Sequence, residues 1–217
     1  MNSGLHIAVF GKAPLPGQVK TRLIPLLGRE GAAAAYRRML LHALQIASTA
    51  AAGNISLWTT GQHDHPFLLE CGAHFGAALQ HQCEGDLGDR MADCLRRLLA
   101  EHAAVLLIGS DCPILSAQDL HSAVMMMTTA QIQMVFTPAQ DGGYVLVGMR
   151  QTAAPYIGFT AFEQIDWSTD AVMPQTRARL TAYGWQKDRD WCEMPARWDV
   201  DTPDDYLRAL HENLLGG

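Results

Sequence analysis

Apolar residues come in two alternating patterns along the 217-residue chain: short β-branched runs, and longer stretches with a three-to-four-residue rhythm. Ile7-Ala8-Val9-Phe10 predicts a first strand. Residues 30–52 predict a helix, in which Ala32 to Ala35 supply propensity and Tyr36, Met39, Leu40, Ala43 and Ala47 share one face. Gly53-Asn54 ends it and Ile55–Thr59 forms a second strand, so the two strands should run parallel through a right-handed crossover. A short helix from Pro66 to about Cys71 follows, then one led by Gly85-Asp86-Leu87-Gly88-Asp89-Arg90 with Met91, Leu95, Leu98 and Leu99 inward. Val105-Leu106-Leu107-Ile108 is continuously apolar, as expected of a central parallel strand buried on both faces.

In the second half, Ser116 opens a helix, and its partner Asp119 completes a capping box. Met134–Pro138 and Tyr144–Gly148 read as strands around Asp141-Gly142-Gly143. Trp167-Ser168-Thr169-Asp170 should start a helix reaching about Tyr183, with Ser168 or Thr169 as cap. Trp185 to Trp198 reads as strand and loop. A last helix has Thr202 as cap, Pro203 at its first position, Asp205 at its third, and Tyr206, Leu207, Leu210 and Leu214 as its buried stripe. There is no repeat, linker or low-complexity stretch, so one α/β domain over residues 1–217 is expected.

The loop after the first strand changes this picture from architecture to chemistry. Gly11-Lys12-Ala13-Pro14-Leu15-Pro16-Gly17-Gln18-Val19-Lys20-Thr21-Arg22-Leu23 should leave the carboxyl end of a strand, where open α/β sheets bind ligands. Two prolines stiffen it, and Gly11 and Gly17 let backbone approach a ligand closely. Lys12, Lys20 and Arg22 precede the first acid of the chain, Glu30, so this protein of net charge −6 opens with a cationic segment suited to phosphate. The alternative is a solvated loop paired with distant acids. It is not a Walker A loop, because five residues separate the glycines, Lys20 lies three beyond the second, and Pro25 interrupts the helix that should follow at once. No G-x-G-x-x-G fingerprint occurs there either.

Charge and cysteines then exclude partners. A pI near 5.8 argues against nucleic acid. No apolar run approaches the roughly 20 residues of a membrane helix, and Met1-Asn2-Ser3-Gly4 lacks the basic start of a signal peptide. Five cysteines without a C-x-x-C pair read as reduced thiols of a cytoplasmic protein. His63, His65, Cys71, His74, His81 and Cys83 match no standard zinc spacing.

Three further places carry candidate chemistry. Asp111, in Gly109-Ser110-Asp111-Cys112-Pro113, follows the central strand and should face the cationic loop, an arrangement that a shared Mg²⁺ explains. With Thr202 and Asp205 used in capping, Asp199 and Asp201 are left over, and one residue apart in extended chain they point the same way, as a second metal contact or as solvated acids. Asp141-Gly142-Gly143 is either a plain hairpin turn or a pair of glycine amides offered to substrate with Asp141 as acid or base. Arg90, a cation in the first turn of a helix, either meets a ligand or pairs with Asp86 or Asp93.

Taken in order, Phe10–Gly17 with Lys20-Thr21-Arg22-Leu23, Gly109–Pro113, Asp141-Gly142-Gly143-Tyr144 and Asp199-Val200-Asp201-Thr202-Pro203 resemble the radical-SAM/selenodomain-associated transferases of the glycosyltransferase-A, or nucleotide-diphospho-sugar transferase, superfamily. Gly85–Met91 and Trp167-Ser168-Thr169 are similar to further motifs of that group. The resemblance implies a Rossmann-like, three-layer αβα fold with a mixed, mostly parallel sheet. It also implies a nucleotide site in the amino-terminal half, for which Gly11, Lys12, Gly17, Lys20, Arg22, Arg90, Gly142 and Gly143 are the candidates; the first and last motifs also resemble cytidylyl- and guanylyltransferases, which implies Mg²⁺ or Mn²⁺ held by Asp111 and Asp201. Ser110-Asp111-Cys112 departs from the D-x-D of many metal-dependent glycosyltransferases.

The expected activity is transfer from a nucleotide or nucleotide-sugar to a small-molecule acceptor, with Lys20, Arg22 and Asp141 as catalytic candidates. A non-catalytic nucleotide-binding regulatory module is the rival, and a phosphohydrolase a weaker one because D-x-D-x-[TV] is missing.

Overall fold

The computed structural model describes residues 3–51, 53–153 and 159–215; residue 52, at the end of the first predicted helix, and Met1 and Asn2 lie outside these. Seven strands form one sheet: β1 (Ser3–Lys12), β2 (Ile55–Thr60), β3 (Ala78–His81), β4 (His102–Ile108), β5 (Met134–Pro138), β6 (Tyr144–Arg150) and β7 (Trp191–Glu193), in the order β3-β2-β1-β4-β6-β5-β7. β6 alone runs against its neighbours, pairing antiparallel with β4 and β5. The other pairings are parallel, as the α/β reading requires.

Alternation along β1 and β4 explains why helices cover both faces. Ile7, Val9, Leu106 and Ile108 turn to one core with α1 (Ile24–Ala50), α2 (Pro66–Phe75), α4 (Ala117–Thr128) and α6 (Pro203–His211). Ala8, Val105 and Leu107 turn to the other, with α3 (Leu87–Leu99) and α5 (Val172–Ala182).

The chain reverses direction across the sheet between β1 and β4, whose neighbours on either side are reached by connections running opposite ways. That switch point opens a crevice at the carboxyl ends of the strands. The loops after β1 and after β4 flank it.

Three elements differ in place from the sequence expectation, and in α6 Leu207 and Leu210 of the expected buried stripe are exposed, while Tyr206 and Ala209 face the core. α1 starts at Ile24 but is interrupted at Gly28 (φ 71°, ψ 175°), a conformation only glycine adopts readily, so the regular helix begins close to where the periodicity places it. β3 was not expected: Ala78–His81 shows no apolar alternation and owes its form to pairing with β2. α5 begins at Val172 with no side-chain cap, rather than at Trp167. Ser168 takes a positive φ of 65°, and Thr169 Oγ1 donates to the Asp166 carbonyl while accepting from Ala171 N, which makes a turn of the segment.

Candidate functional site

The loop after β1 is held from below. Val19 and Leu23 are fully buried, so the intervening Lys20 is fixed between two apolar anchors. Its backbone is left-handed (φ 43°, ψ 47°), at a cost of about 1 kcal/mol for a residue with a Cβ. This aims the side chain back across the crevice. Lys20 Nζ lies 3.0 Å from Asp111 Oδ2 and 2.7 Å from Asp201 Oδ1, and its side chain is 8% exposed. Arg22 Nη1, on the solvent side, reaches Asp201 Oδ2 at 3.4 Å.

The carboxylates come from two segments tied together. Val200 N donates to the Asp111 carbonyl (2.9 Å), and Cys112 Sγ to the Trp198 carbonyl (3.2 Å). Trp198 and Val200 are buried, so the alternating Asp199 and Asp201 face the crevice. Behind them, Tyr36 OH accepts from Lys12 N (2.9 Å) and pairs with Ser110 Oγ (3.0 Å), fastening the ends of β1 and β4 to α1.

The electrostatics follow from this crowding. Burial alone would raise the Asp111 carboxyl, but the Lys20 ammonium and its hydrogen bond hold it below the usual range. Burial opposes the charge on Lys20, and Asp111 and Asp201 more than compensate, so its pKa is raised. Among the described residues Asp199 has no such ion-pair partner. Burial, then Asp111, Asp141 and Asp201, push it up to about 7.

Asp111, Asp199 and Asp201 each offer an oxygen within 4.8 Å of the others. An all-oxygen donor set with several negative charges suits a hard divalent cation such as Mg²⁺ or Mn²⁺, so these residues fit the metal that the motifs imply. Asp199 joins the pair Asp111 and Asp201; the sequence offered it, beside Asp201, for a second metal contact.

The cleft, of about 800 Å³, is also lined by Gly11, Lys12, Arg90, Asp141 and Gly143. Gly17 and Gly142 stand beside it and serve the backbone. Gly17 adopts φ 82° over Arg29, and a Cβ on Gly142 (φ 95°) would fall 2.4 Å from Asp170 Cα and O. Asp141-Gly142-Gly143 is thus a hairpin turn between β5 and β6, with Asp141 Oδ1 accepting from Gly143 N (3.0 Å), and it borders the cleft as well. Arg90 does not pair with Asp86 or Asp93: Asp86 caps α3 and Asp93 meets Arg97. Sequence reasoning did not single out Ser110, Gln82, Asp170 or the ring of Trp167 as parts of this site; Gln82 Nε2 donates to the Trp58 carbonyl at 2.9 Å.

With that geometry in hand, the chain can be placed among known proteins. A family model described as "Uncharacterized protein conserved in bacteria (DUF2064)" matches residues 43–169, more than half of the chain. The chain belongs to the DUF2064 family. The matched span holds Arg90, Asp111 and Asp141, while Lys20, Asp199 and Asp201 lie outside it. A comparison with curated proteins gives no match.

Among solved structures, this DUF2064 chain is similar to a candidate nucleotide-diphospho-sugar transferase from Desulfovibrio desulfuricans G20, at 28% identity and a TM-score of 0.81 over 97% of this chain and 88% of that one. It also shares its fold with a cytidylyltransferase from Leptospira borgpetersenii (15% identity, TM-score 0.58, 94% and 84% covered). A third relative in fold is glucosyl-3-phosphoglycerate synthase from Mycobacterium tuberculosis, solved with Mn²⁺, UDP and glucosyl-3-phosphoglycerate (10%, 0.57, 98% and 77%). The fold is that of nucleotide-diphospho-sugar transferases and cytidylyltransferases, as the motifs imply, and its structural neighbours are transferases.

Proposed function

We propose that this protein is a metal-dependent transferase acting on a nucleotide or nucleotide-sugar, with the whole chain, residues 1–217, as one catalytic unit. The observation that carries the reading is the convergence on Lys20: a cationic loop from the start of the chain and carboxylates from residues 111 and 201 meet in one cleft at the switch point. A polyphosphate bound with a divalent cation needs both signs of charge there. The UDP and Mn²⁺ of the mycobacterial relative, and the nucleotide chemistry named for the other two, support the same assignment.

In this reading Asp111 and Asp201, joined by Asp199, hold the metal, and Lys12, Lys20, Arg22 and Arg90 face the phosphates. When bound, the metal would offset charge developing on the leaving phosphate. Lys20 then exchanges carboxylate partners for phosphate oxygens. Asp141, which borders the cleft, is the base for a hydroxyl acceptor; an acceptor phosphate needs none. The narrower grouping with radical-SAM/selenodomain-associated transferases rests on the order of the four motifs and belongs to the same proposal. So does a cytoplasmic location, which five unpaired cysteines favour.

Thermal-shift screening of nucleotides and nucleotide-sugars with and without Mg²⁺ tests the proposal. A ligand at about 100 times its Kd adds roughly 2.7 kcal/mol, which is easily read. The expected hit needs Mg²⁺ and disappears in Asp111→Ala. Binding that never leads to turnover with any acceptor would favour the regulatory module, and release of inorganic phosphate without an acceptor would favour the phosphohydrolase. A screen without any nucleotide hit would end the reading.

A further inference from the structure

The cleft has two halves of different chemistry. Beyond the charged half described above, it is walled by Phe10, Leu87, Met91, Tyr144, Trp167 and Val172. Phe10, Tyr144 and Trp167 are only partly buried against the core beneath α3 and α5, and Leu87 is 42% exposed. These side chains keep apolar surface turned to the opening.

Trp167 is the rigid centre of this half. Its indole lies so close on the first turn of α3 that a Cβ at Gly88 would stand 2.8 Å from Cζ2 and Nε1. Tyr144 meets it edge to face, with ring centroids 6.3 Å apart, and Phe136 backs Tyr144 at 5.3 Å. A ring braced in this way offers a flat surface without losing rotamer freedom on binding.

The acids around it disfavour an anion. Asp141 and Asp170 border this half, and Met173 N bonded to the Gly142 carbonyl (2.8 Å) keeps their two segments together. The cations that line the cleft among the described residues, Lys12, Lys20, Arg22 and Arg90, are those assigned above to the phosphates, which leaves the acids to set the charge here. The two carboxylates repel a phosphorylated acceptor and leave a neutral, hydroxyl-bearing one unopposed.

We propose that the acceptor is an uncharged, hydroxyl-bearing molecule with a flat apolar face, seated on Trp167 with its hydroxyl toward Asp141. The inference rests on the nucleotide-sugar form of the proposed function and selects glycosyl transfer over nucleotidyl transfer to a phosphate. The acceptor oxygen attacks the anomeric carbon, the bond from that carbon to the diphosphate oxygen breaks, and its electron pair leaves with the nucleoside diphosphate. The hydroxyl proton passes to the Asp141 carboxylate and from there to water.

Calorimetric titration of the full chain tests this with two probes that share one sugar, phenyl β-glucoside and glucose 6-phosphate, each with and without UDP and Mn²⁺. Phenyl β-glucoside should bind more tightly by about ten-fold or more, and Trp167→Leu should remove that advantage while Trp167→Phe retains most of it. Thermal unfolding of both variants establishes that they fold. Tighter binding of glucose 6-phosphate, indifference to Trp167→Leu, or no binding of either probe overturns the inference. Loss of the UDP response in wild type, with the probe preference intact, would instead count against the nucleotide reading alone.

Discussion

Lys20 Nζ lies 3.0 Å from Asp111 Oδ2, across 91 residues of sequence, and the same nitrogen holds Asp201. The ammonium therefore stands among the carboxylates proposed to hold a cation. If these carboxylates take a divalent ion as proposed, Lys20 would compete with it for the same oxygens.

Lys20→Met separates the two roles of this lysine. In metal-free protein it leaves the carboxylates without their cation, a loss of about 2 kcal/mol once the partial exposure of Asp111 and Asp201 is allowed for. Mn²⁺ alone, followed by its paramagnetic resonance, should bind the variant more tightly than wild type. Nucleotide should bind it more weakly, because the phosphates lose a partner. Weaker Mn²⁺ binding in the variant would mean that Lys20 supports the metal instead of competing with it.

Asp199 gives a pH dependence of definite sign. Its carboxyl titrates near 7 in the folded protein against 3.8 in the unfolded chain, so between these values the folded state binds more protons and stability falls as pH rises. In EDTA, Asp199→Asn should match wild type near pH 4 and exceed it above pH 7, by about 1–2 kcal/mol after discounting for its partial exposure. Denaturation midpoints of the two proteins that stay parallel from pH 4 to 8 would refute the assignment.

What the sequence made legible follows from how locally each feature is encoded. Strands β1 and β4, and the capping boxes at Ser116 and Thr202, depend on neighbours within a few residues, and they lie where the pattern puts them. β3 depends on β2, and the turn at Ser168 depends on Trp167 reaching Gly88, so neither leaves a local signature. The same division runs through the site. Cations before and acids after the crevice could be read from the sequence, and pairing of the loop with distant acids stood as the alternative, but that one lysine would take both Asp111 and Asp201 could not be read. Nor could the second task of Tyr36, whose place on the buried face of α1 was expected and whose hydroxyl joins β1 to β4.

The hairpin that carries Asp141 has no room for a side chain at its tip. Gly142→Ala would put a Cβ 2.4 Å from the Asp170 backbone while forcing a non-glycine residue to φ 95°. A destabilisation of at least about 2 kcal/mol is expected from backbone clash and strain together. Because Lys20 and the carboxylates lie on other segments, Mg²⁺-dependent nucleotide binding should survive in the folded fraction while transfer to acceptor is lost. An Ala variant as stable and active as wild type would show that the turn can move away from Asp170 freely.

Asp141 itself distinguishes the two transfer reactions. Its carboxylate borders the cleft and accepts from Gly143 N, so Asp141→Asn can keep the turn through its side-chain oxygen while losing the ability to take a proton. Removing a general base costs about 10²–10⁴-fold in rate. Hydroxyl glycosylation should fall by that factor with nucleotide affinity unchanged, whereas attack by an acceptor phosphate, which carries no proton that must leave, should be only weakened. Both assays on one purified variant give the answer, with the thermal shift by nucleotide as the control for an intact site. If glycosyl transfer proceeds at the wild-type rate, the proton must leave by another route and Asp141 is only part of the hairpin; Asp199, turned to the same cleft, is then the next carboxylate to replace.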